Sequence, residues 1–294
     1  MHLFKKNLIL ITFLSFSVFA STVNKSTSDP RSYEVFTLDN GLDVITISDE
    51  NLATSAATLS VGVGAYQDPA SAQGIAHFLE HMIFMGSDKY KDPNEYMQFI
   101  SENGGETNAF TADQQTTYLF SINSDKFEDA LDRLSAAIKS PLFDGTMVEK
   151  EINAVNSEWL LRRQSEAFIR QRTAAMTGSL NHPKTLLGVG NKETLSSEKE
   201  ILLQSLREFH KRYYSANIMK LILVGNESPR KLKRIAKKYF GSIKNTNASR
   251  DLIDVKAYLP GNLKKNIYIK SKVKSPGLVI EFPMQNNSSN WRQK

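Results

Sequence analysis

Residues 74–86, GIAHFLEHMIFMG, form an apolar segment that contains two of the five histidines of the chain. The spacing of the apolar residues predicts a helix of about fifteen residues. His77 and His81 are four positions apart, so a helix projects both imidazoles from the same face. Glu80 lies one position off that line and reaches the same space. The segment therefore predicts two histidines and a carboxylate grouped on one helix.

Two imidazoles on one helical face can bind a single metal ion. The chain has no cysteine, which leaves histidine and carboxylate side chains as ligands. Catalytic zinc usually has three protein ligands and an open position, where the pKa of a water falls to about 7. Glu80 beside that water is a candidate general base. The order H-x-x-E-H inverts the H-E-x-x-H motif of other zinc proteases, but taken alone it fits an ordinary helix with two histidines equally well.

A third ligand is expected in residues 150–163, KEINAVNSEWLLRR. Glu151 and Glu158 are seven positions apart, which is two helical turns, so both face the same way. Paired glutamates on a helix are most often surface charge. Beside two histidines, they are better interpreted as one metal ligand and one group that orients a ligand.

The rest of the chain is predicted to contain both strands and helices. Asn40-Gly41 between two alternating runs predicts a hairpin within residues 32–49. Further strands are predicted at 56–66, 115–122, 219–226, 266–271 and 277–283, and helices at 92–104, 124–141, 146–177 and 228–241. Adjacent strands with few forced crossovers indicate an α+β fold, with a largely antiparallel sheet and helices packed on it.

The N-terminus has the pattern of a secretory signal. Residues 1–20 combine Lys5 and Lys6 with an apolar run over 8–19 and a small residue, Ala20. The run is short for a membrane span, although an uncleaved anchor is the alternative. We therefore expect a signal peptide over 1–20, a polar linker over 21–31 and a domain over 32–294. The mature protein is expected to be exported without stable membrane insertion, and to be periplasmic if the source is a Gram-negative bacterium.

The charge of the chain is uneven. Its net charge is +6, whereas residues 229–294 hold 16 Lys/Arg against 3 Asp/Glu. The basic residues lie on one face of a predicted helix and beside predicted strands, without interleaved aromatic residues. This pattern is typical of solvated faces or of a wall facing an acidic partner, and it predicts no nucleic-acid partner. A basic binding module over 229–274 is the corresponding rival function.

Three segments in order carry a specific resemblance. HFLEHMIFMGSDKY (77–90), GGETNAFTADQQTTYLF (104–120) and EINAVNSEW (151–159) resemble the pitrilysin/insulin-degrading enzyme family of zinc endopeptidases. The resemblance implies one zinc ion per chain, held by His77, His81 and Glu158. It also implies that Glu80 is the general base and that Glu151 is a supporting acid. Peptides or unfolded polypeptides are the implied substrates.

The resemblance has further implications for substrate binding. The family adds the substrate backbone as a strand along the NAFT segment, which here comprises Asn108, Ala109, Phe110 and Thr111. A short extended run after two glycines suits such strand addition, although an ordinary buried strand is the alternative. Asn108 and Ala109 are the most direct contact candidates.

Two features depart from the family pattern. Asn156 replaces the usual aspartate of the A-V-D-S-E run, which spares the ligands but alters a neighbouring hydrogen bond. Family members also carry four related α+β domains, so this chain is expected to be truncated near the end of the first. A non-catalytic or incomplete module that serves as a binding partner is therefore the second rival function. No oligomeric state is predicted.

Overall fold

The computed structural model describes residues 23–196, 198–250, 253, 255–270 and 277–284. In chain order, the strands are β1 (Ser32–Thr37), β2 (Asp43–Ser48), β3 (Thr54–Val61), β4 (Glu106–Thr111), β5 (Thr116–Asn123) and β6 (Met219–Gly225). The helices are α1 (Ile75–Ile83), α2 (Glu95–Glu102), α3 (Phe127–Lys139), α4 (Val148–Arg162), α5 (Glu166–Met176), α6 (Lys199–Tyr213) and α7 (Pro229–Phe240).

The six strands form one sheet in the order β1-β2-β6-β3-β5-β4. Four neighbouring pairs are antiparallel, and only β2 and β6 run parallel. The prediction of an α+β fold with a largely antiparallel sheet is thus confirmed. The predicted hairpin is also present, because β1 pairs with β2 across a turn in which Gly41 has φ +85°. A side chain disfavours this left-handed conformation, so glycine suits the turn.

The core lies between one face of the sheet and the helices. Alternate residues of the central strands are buried, and Leu59 of β3 pairs with Leu221 of β6, both with no exposed surface. α3 contributes Leu131 and Leu134 to the same core cluster. The period of two in the strands and the helical spacing in α3 both match what core-facing elements require.

The helices follow the predictions with corrected bounds. The helix at residues 74–86 has nine residues rather than about fifteen, because the chain at each end bends through a glycine with positive φ, Gly74 (+91°) and Gly86 (+93°). The single helix expected over 146–177 is two helices, α4 and α5. Between them Ser165 adopts an extended backbone (φ −78°, ψ 130°) at the N-cap of α5. The Ser165 side chain makes no capping hydrogen bond, and no glycine or proline marks the break.

Two expected strands are wrong. The described parts of 266–271 and 277–283 have no regular structure, and Tyr268 and Leu278 are 93% and 85% exposed. A strand needs a partner for its backbone N–H and C=O groups, and neither segment pairs with the edge strands β1 and β4. The alternating apolar residues of these two segments are therefore not enough to form a strand.

The N-terminal prediction lies mostly outside the described residues. The signal segment 1–20 and the first part of the linker are not among them, and the described linker residues, 23–31, have no helix or strand. No helix in the described ranges is long and apolar enough to cross a membrane.

Candidate metal centre

The start of α1 is held by the side chain of Asp68 and by a close glycine contact, rather than by a Ser or Thr cap. The buried carboxylate of Asp68 accepts hydrogen bonds from the N–H groups of Gly74 (2.7 Å) and Ala76 (3.0 Å), which have no partner within the helix. Gly74 also lies against Gly190, where an added Cβ would be 2.3 Å from the Cα of Gly190. These contacts set the position of the histidine-bearing helix.

His77 and His81 face Glu158 of α4. The Nε2 atom of His77 is 3.5 Å from Oε2 of Glu158, and Nε2 of His81 is 3.4 Å from Oε1. The ligand atoms of the three residues all lie within 4.8 Å of one another. The predicted ligands are thus brought together, although His81 and Glu158 are 77 positions apart in the sequence.

The other ring nitrogens have acceptors of their own. His77 Nδ1 is 2.8 Å from the carbonyl oxygen of Val189, and His81 Nδ1 is 3.1 Å from Oε2 of Glu151. Since a carbonyl can only accept, His77 carries its proton on Nδ1, and the carboxylate favours the same tautomer in His81. Both Nε2 lone pairs are then directed to the space beside Glu158, as metal-bound histidines require.

This donor set fits a tetrahedral zinc ion. Zinc binds histidine nitrogen and carboxylate oxygen at about 2.0–2.2 Å, so neighbouring donors of a tetrahedron stand roughly 3.3–3.5 Å apart. The two nitrogen–oxygen separations, 3.5 and 3.4 Å, have this value. They exceed the usual length of a direct N–H···O hydrogen bond, about 2.9 Å. Three donors also leave one position for water, as in catalytic sites.

Glu151 and Glu158 occupy the same face of α4 but different environments. Glu151 is buried and 5% exposed, whereas Glu158 is partly exposed and also accepts a hydrogen bond from Arg162 (3.3 Å). Val155, between them, is fully buried and anchors the helix to the core. α4 thus places one carboxylate behind His81 and the other between the two imidazoles.

Glu80 lies on α1 between the histidines and is buried. The hydroxyl of Thr111, at the end of β4, donates to its Oε2 at 2.5 Å. Burial raises the pKa of Glu80, although the Thr111 hydrogen bond and both histidines lower it. A carboxylate with a raised pKa accepts and returns a proton more readily near neutral pH.

Contacts between the histidines and the glutamates also shift the pKa values of two predicted ligands, Glu158 and His81. The adjacent imidazoles of His77 and His81 hold the pKa of Glu158 well below its usual range. Burial lowers the pKa of His81, but the nearby carboxylates of Glu151 and Glu158 outweigh burial and raise that pKa to about 9. Glu158 is therefore ionised over the physiological range, as a metal ligand must be.

The predicted substrate-binding residues lie on an edge strand. β4 is the last strand of the sheet, and among the described residues it pairs only with β5. The N–H of Ala109 donates to the side chain of Asn108 at 2.9 Å, so it faces the open edge rather than β5. Phe110 is exposed, whereas the side chain of Thr111 contacts Glu80. The edge is available to an added strand, which is what backbone recognition requires.

A connecting segment after α5 joins the two metal-site helices. The carbonyl of Val189 accepts from His77, and the N–H of Lys192 donates to the Asn156 side chain of α4 at 3.2 Å. Asn156, noted in the sequence as a departure, thus accepts a backbone hydrogen bond. Sequence reasoning missed Val189 because a carbonyl contact leaves no residue-type signal. It also missed Asp68, whose only signal is an acidic residue close before a helix.

Comparisons with known proteins identify the family of this chain. Residues 43–190 match the insulinase family (Peptidase family M16), and residues 201–291 match the Peptidase M16 inactive domain. The crystal structure of pitrilysin superposes with a TM-score of 0.80 at 36% sequence identity, covering 82% of this chain and 26% of the pitrilysin chain.

Similar curated proteins are peptidases and processing enzymes. Protease 3 of Escherichia coli (strain K12) is 35% identical over 93% of this chain, and the A-factor-processing enzyme of Saccharomyces cerevisiae is 36% identical over 95%. Insulin-degrading enzyme of Homo sapiens is 38% identical over 76%. This chain spans only 22% to 28% of the length of these relatives. With the family match over residues 43–190 and the pitrilysin-like fold, the chain belongs to the insulinase family of peptidases, Peptidase family M16.

Proposed function

We propose that this chain is the catalytic module of a zinc-dependent endopeptidase that hydrolyses extended peptides. The observation that carries the proposal is the convergence of His77, His81 and Glu158 on one point beside the buried carboxylate of Glu80. In this proposal residues 32–294 form an N-terminal catalytic domain.

Each residue has a role that follows from its contacts. His77, His81 and Glu158 hold the zinc ion, which supplies Lewis-acid chemistry and lowers the pKa of a water. Glu80 accepts a proton from the attacking water and returns it to the leaving amine. Thr111 holds the Glu80 carboxylate in place, and Glu151 keeps the proton of His81 on Nδ1. The open edge of β4 aligns the peptide backbone.

The test combines metal content with peptide cleavage. We expect about one zinc per chain in the wild type and none in His81→Ala, because two remaining ligands hold zinc poorly. Glu80→Gln should keep the zinc and lose about 10² to 10⁴ in turnover on an unfolded peptide. Glu149→Gln, an exposed position on α4, is the matched control and should change neither quantity.

Three results would each contradict a part of the proposal. Equal zinc content in the wild type and His81→Ala would remove the ligand assignment. Normal turnover by zinc-loaded Glu80→Gln would remove Glu80 from the mechanism. Cleavage of a stably folded protein as fast as of its unfolded form would contradict recognition of extended backbone by β4.

The N-terminal pattern supports a proposal of export to the periplasm or outside the cell. The basic and apolar residues of 1–20 and the small Ala20 carry it. Expression with a C-terminal tag, followed by fractionation and N-terminal sequencing, should find the exported chain beginning near Ser21. Retention of residues 1–20 on a cytoplasmic product would contradict it.

A further inference from the structure

A cleft of about 1020 Å³ adjoins the metal centre. Its lining includes Thr111, Arg162 and Val189. Each of these contacts a different group of the candidate site: Thr111 donates to Glu80, Arg162 donates to Glu158, and the Val189 carbonyl accepts from His77. The cleft and the metal centre therefore share a wall.

The charge of the cleft is predominantly positive. Its charged lining residues are Asp113, Arg162, Arg170, Arg172, Lys184 and Glu281. Four of these six carry a positive charge. The pKa of the Tyr66 hydroxyl is raised by burial and by the Asp113 carboxylate, with which it forms a hydrogen bond, so Asp113 already has a local partner.

The cationic side chains of the cleft differ in how many partners they already have. Arg172 donates to the backbone carbonyls of Lys184, Thr185 and Leu186 and forms no ion pair with a carboxylate of the described residues. Lys184 lies over the ring of Tyr258. Arg170 is exposed on α5 and has no hydrogen bond or ion pair with any described residue. Its guanidinium is therefore free to bind an incoming anion.

We propose that this cleft is a substrate subsite that selects peptides bearing a carboxylate near the scissile bond, with Arg170 as the principal contact. The inference rests on the proposed peptidase function and adds the substrate class. Guanidinium groups bind carboxylates through paired hydrogen bonds, and the surrounding positive charge favours the same ligand. The carboxylate belongs either to an Asp or Glu side chain or to the C-terminus of a short peptide.

The experiment measures peptide binding separately from hydrolysis. Full-length chain with the Glu80→Gln change and bound zinc is titrated with fluorescently labelled, otherwise neutral peptides, and anisotropy gives the dissociation constant. One series moves a single Glu through successive positions, each peptide matched by one with Gln. A second series compares the free C-terminal acid with its amide. The two series distinguish the two sources of the carboxylate.

In one of the two series, we expect the charged peptide to bind about three- to tenfold more tightly than its neutral match. Added salt should weaken this preference. Arg170→Met should abolish the preference, and Arg170→Lys should retain part of it. Arg230→Met, which removes an exposed arginine from the distant helix α7, is the matched control and should leave the preference unchanged. Circular dichroism verifies that each variant is folded.

Other outcomes overturn the inference in distinguishable ways. Equal affinity for charged and neutral peptides, with normal binding of both, would refute the subsite and leave the proposed peptidase function standing. A preference that survives in Arg170→Met would refute the role of Arg170. No binding of any peptide, together with no hydrolysis by the wild type, would refute the proposed function itself.

Discussion

Glu151 contacts a predicted metal ligand without being one of the three clustered ligands itself. Its buried carboxylate lies 3.1 Å from Nδ1 of His81, on the side opposite to Glu158. This contact keeps the Nε2 lone pair of His81 available and restricts rotation of the ring. Groups that orient a histidine ligand in this way commonly contribute 10- to 100-fold to metal affinity.

We therefore expect Glu151→Ala to weaken zinc binding about 10- to 100-fold. Glu151→Gln should lose less, because its amide oxygen still accepts from Nδ1. Competition with a fluorescent chelator measures the affinity, and Glu149→Ala on the same helix is the control. Unchanged zinc affinity in the alanine variant would show that His81 needs no orienting partner.

Asp68 predicts a pH dependence of stability. Burial raises its pKa to about 7, although the N–H groups of Ala76 and Gly74 lower it. In the unfolded chain the carboxyl ionises near its ordinary value of 3.8. Between these values the folded state holds the proton and the unfolded state does not, so the free energy of unfolding falls as pH rises from about 4 to 7.

Asp68→Asn removes this titration. As pH rises from about 4 to 7, the free energy of unfolding of the wild type should therefore fall relative to that of the variant. Urea unfolding at several pH values from 4 to 8 measures the difference. The variant also loses one of two acceptors at the start of α1, which costs about 1 kcal/mol independently of pH. Parallel pH profiles for the two proteins would show that Asp68 titrates normally.

Among the elements, β4 has two edges that differ in their hydrogen bonding. One edge pairs with β5, and the other leaves backbone groups open. The Ala109 N–H on that open edge is covered by the Asn108 side chain, which any strand added to this edge would have to displace. Covering unpaired groups in this way also limits unwanted strand pairing, a known hazard of sheet edges.

Ala109→Pro should therefore weaken peptide binding about two- to tenfold by removing one backbone donor. The sheet should survive, because proline is tolerated on an edge strand where its N–H faces away from the partner. Asn108→Ala is the contrasting variant: it uncovers the same N–H, so peptide binding should be maintained or tighter. Normal KM in a folded Ala109→Pro protein would place the substrate backbone elsewhere.

At the scale of the whole molecule, β6 unites the two family-matched segments. It belongs to the second, 201–291, yet lies between β2 and β3 of the first. Its buried residues, among them Leu221 and Leu223, pack in the same core cluster as α1 and α4. The metal-site helices therefore rest on a sheet that needs both segments.

We expect one cooperative unfolding transition for this unit. Leu221→Ala should reduce the free energy of unfolding by about 2–5 kcal/mol, because it leaves a cavity at the centre of the sheet. Lys220→Ala, the exposed neighbour on the same strand, should change it by less than about 0.5 kcal/mol. Denaturant unfolding followed by both circular dichroism and tryptophan fluorescence checks this, and two separated transitions would contradict it.

Much of the site could be predicted because it depends on short-range geometry. The four-residue spacing of His77 and His81 and the seven-residue spacing of Glu151 and Glu158 place side chains on a common face of any helix. The alternating strands and the hairpin at Gly41 are local patterns of the same kind. α6 was not predicted, although its buried residues, including Leu202, Leu206 and Phe209, have helical spacing.

Contacts between residues far apart in the chain decided the rest of the site and of the fold. The approach of Glu158 to both imidazoles, the Val189 carbonyl behind His77 and the insertion of β6 between β2 and β3 join residues far apart in the chain. The predicted strands at 266–271 and 277–283 fail for the same reason, because a strand depends on a partner as well as on its own residues. Local backbone geometry sets which side chains share a face, whereas only the folded core sets which faces meet.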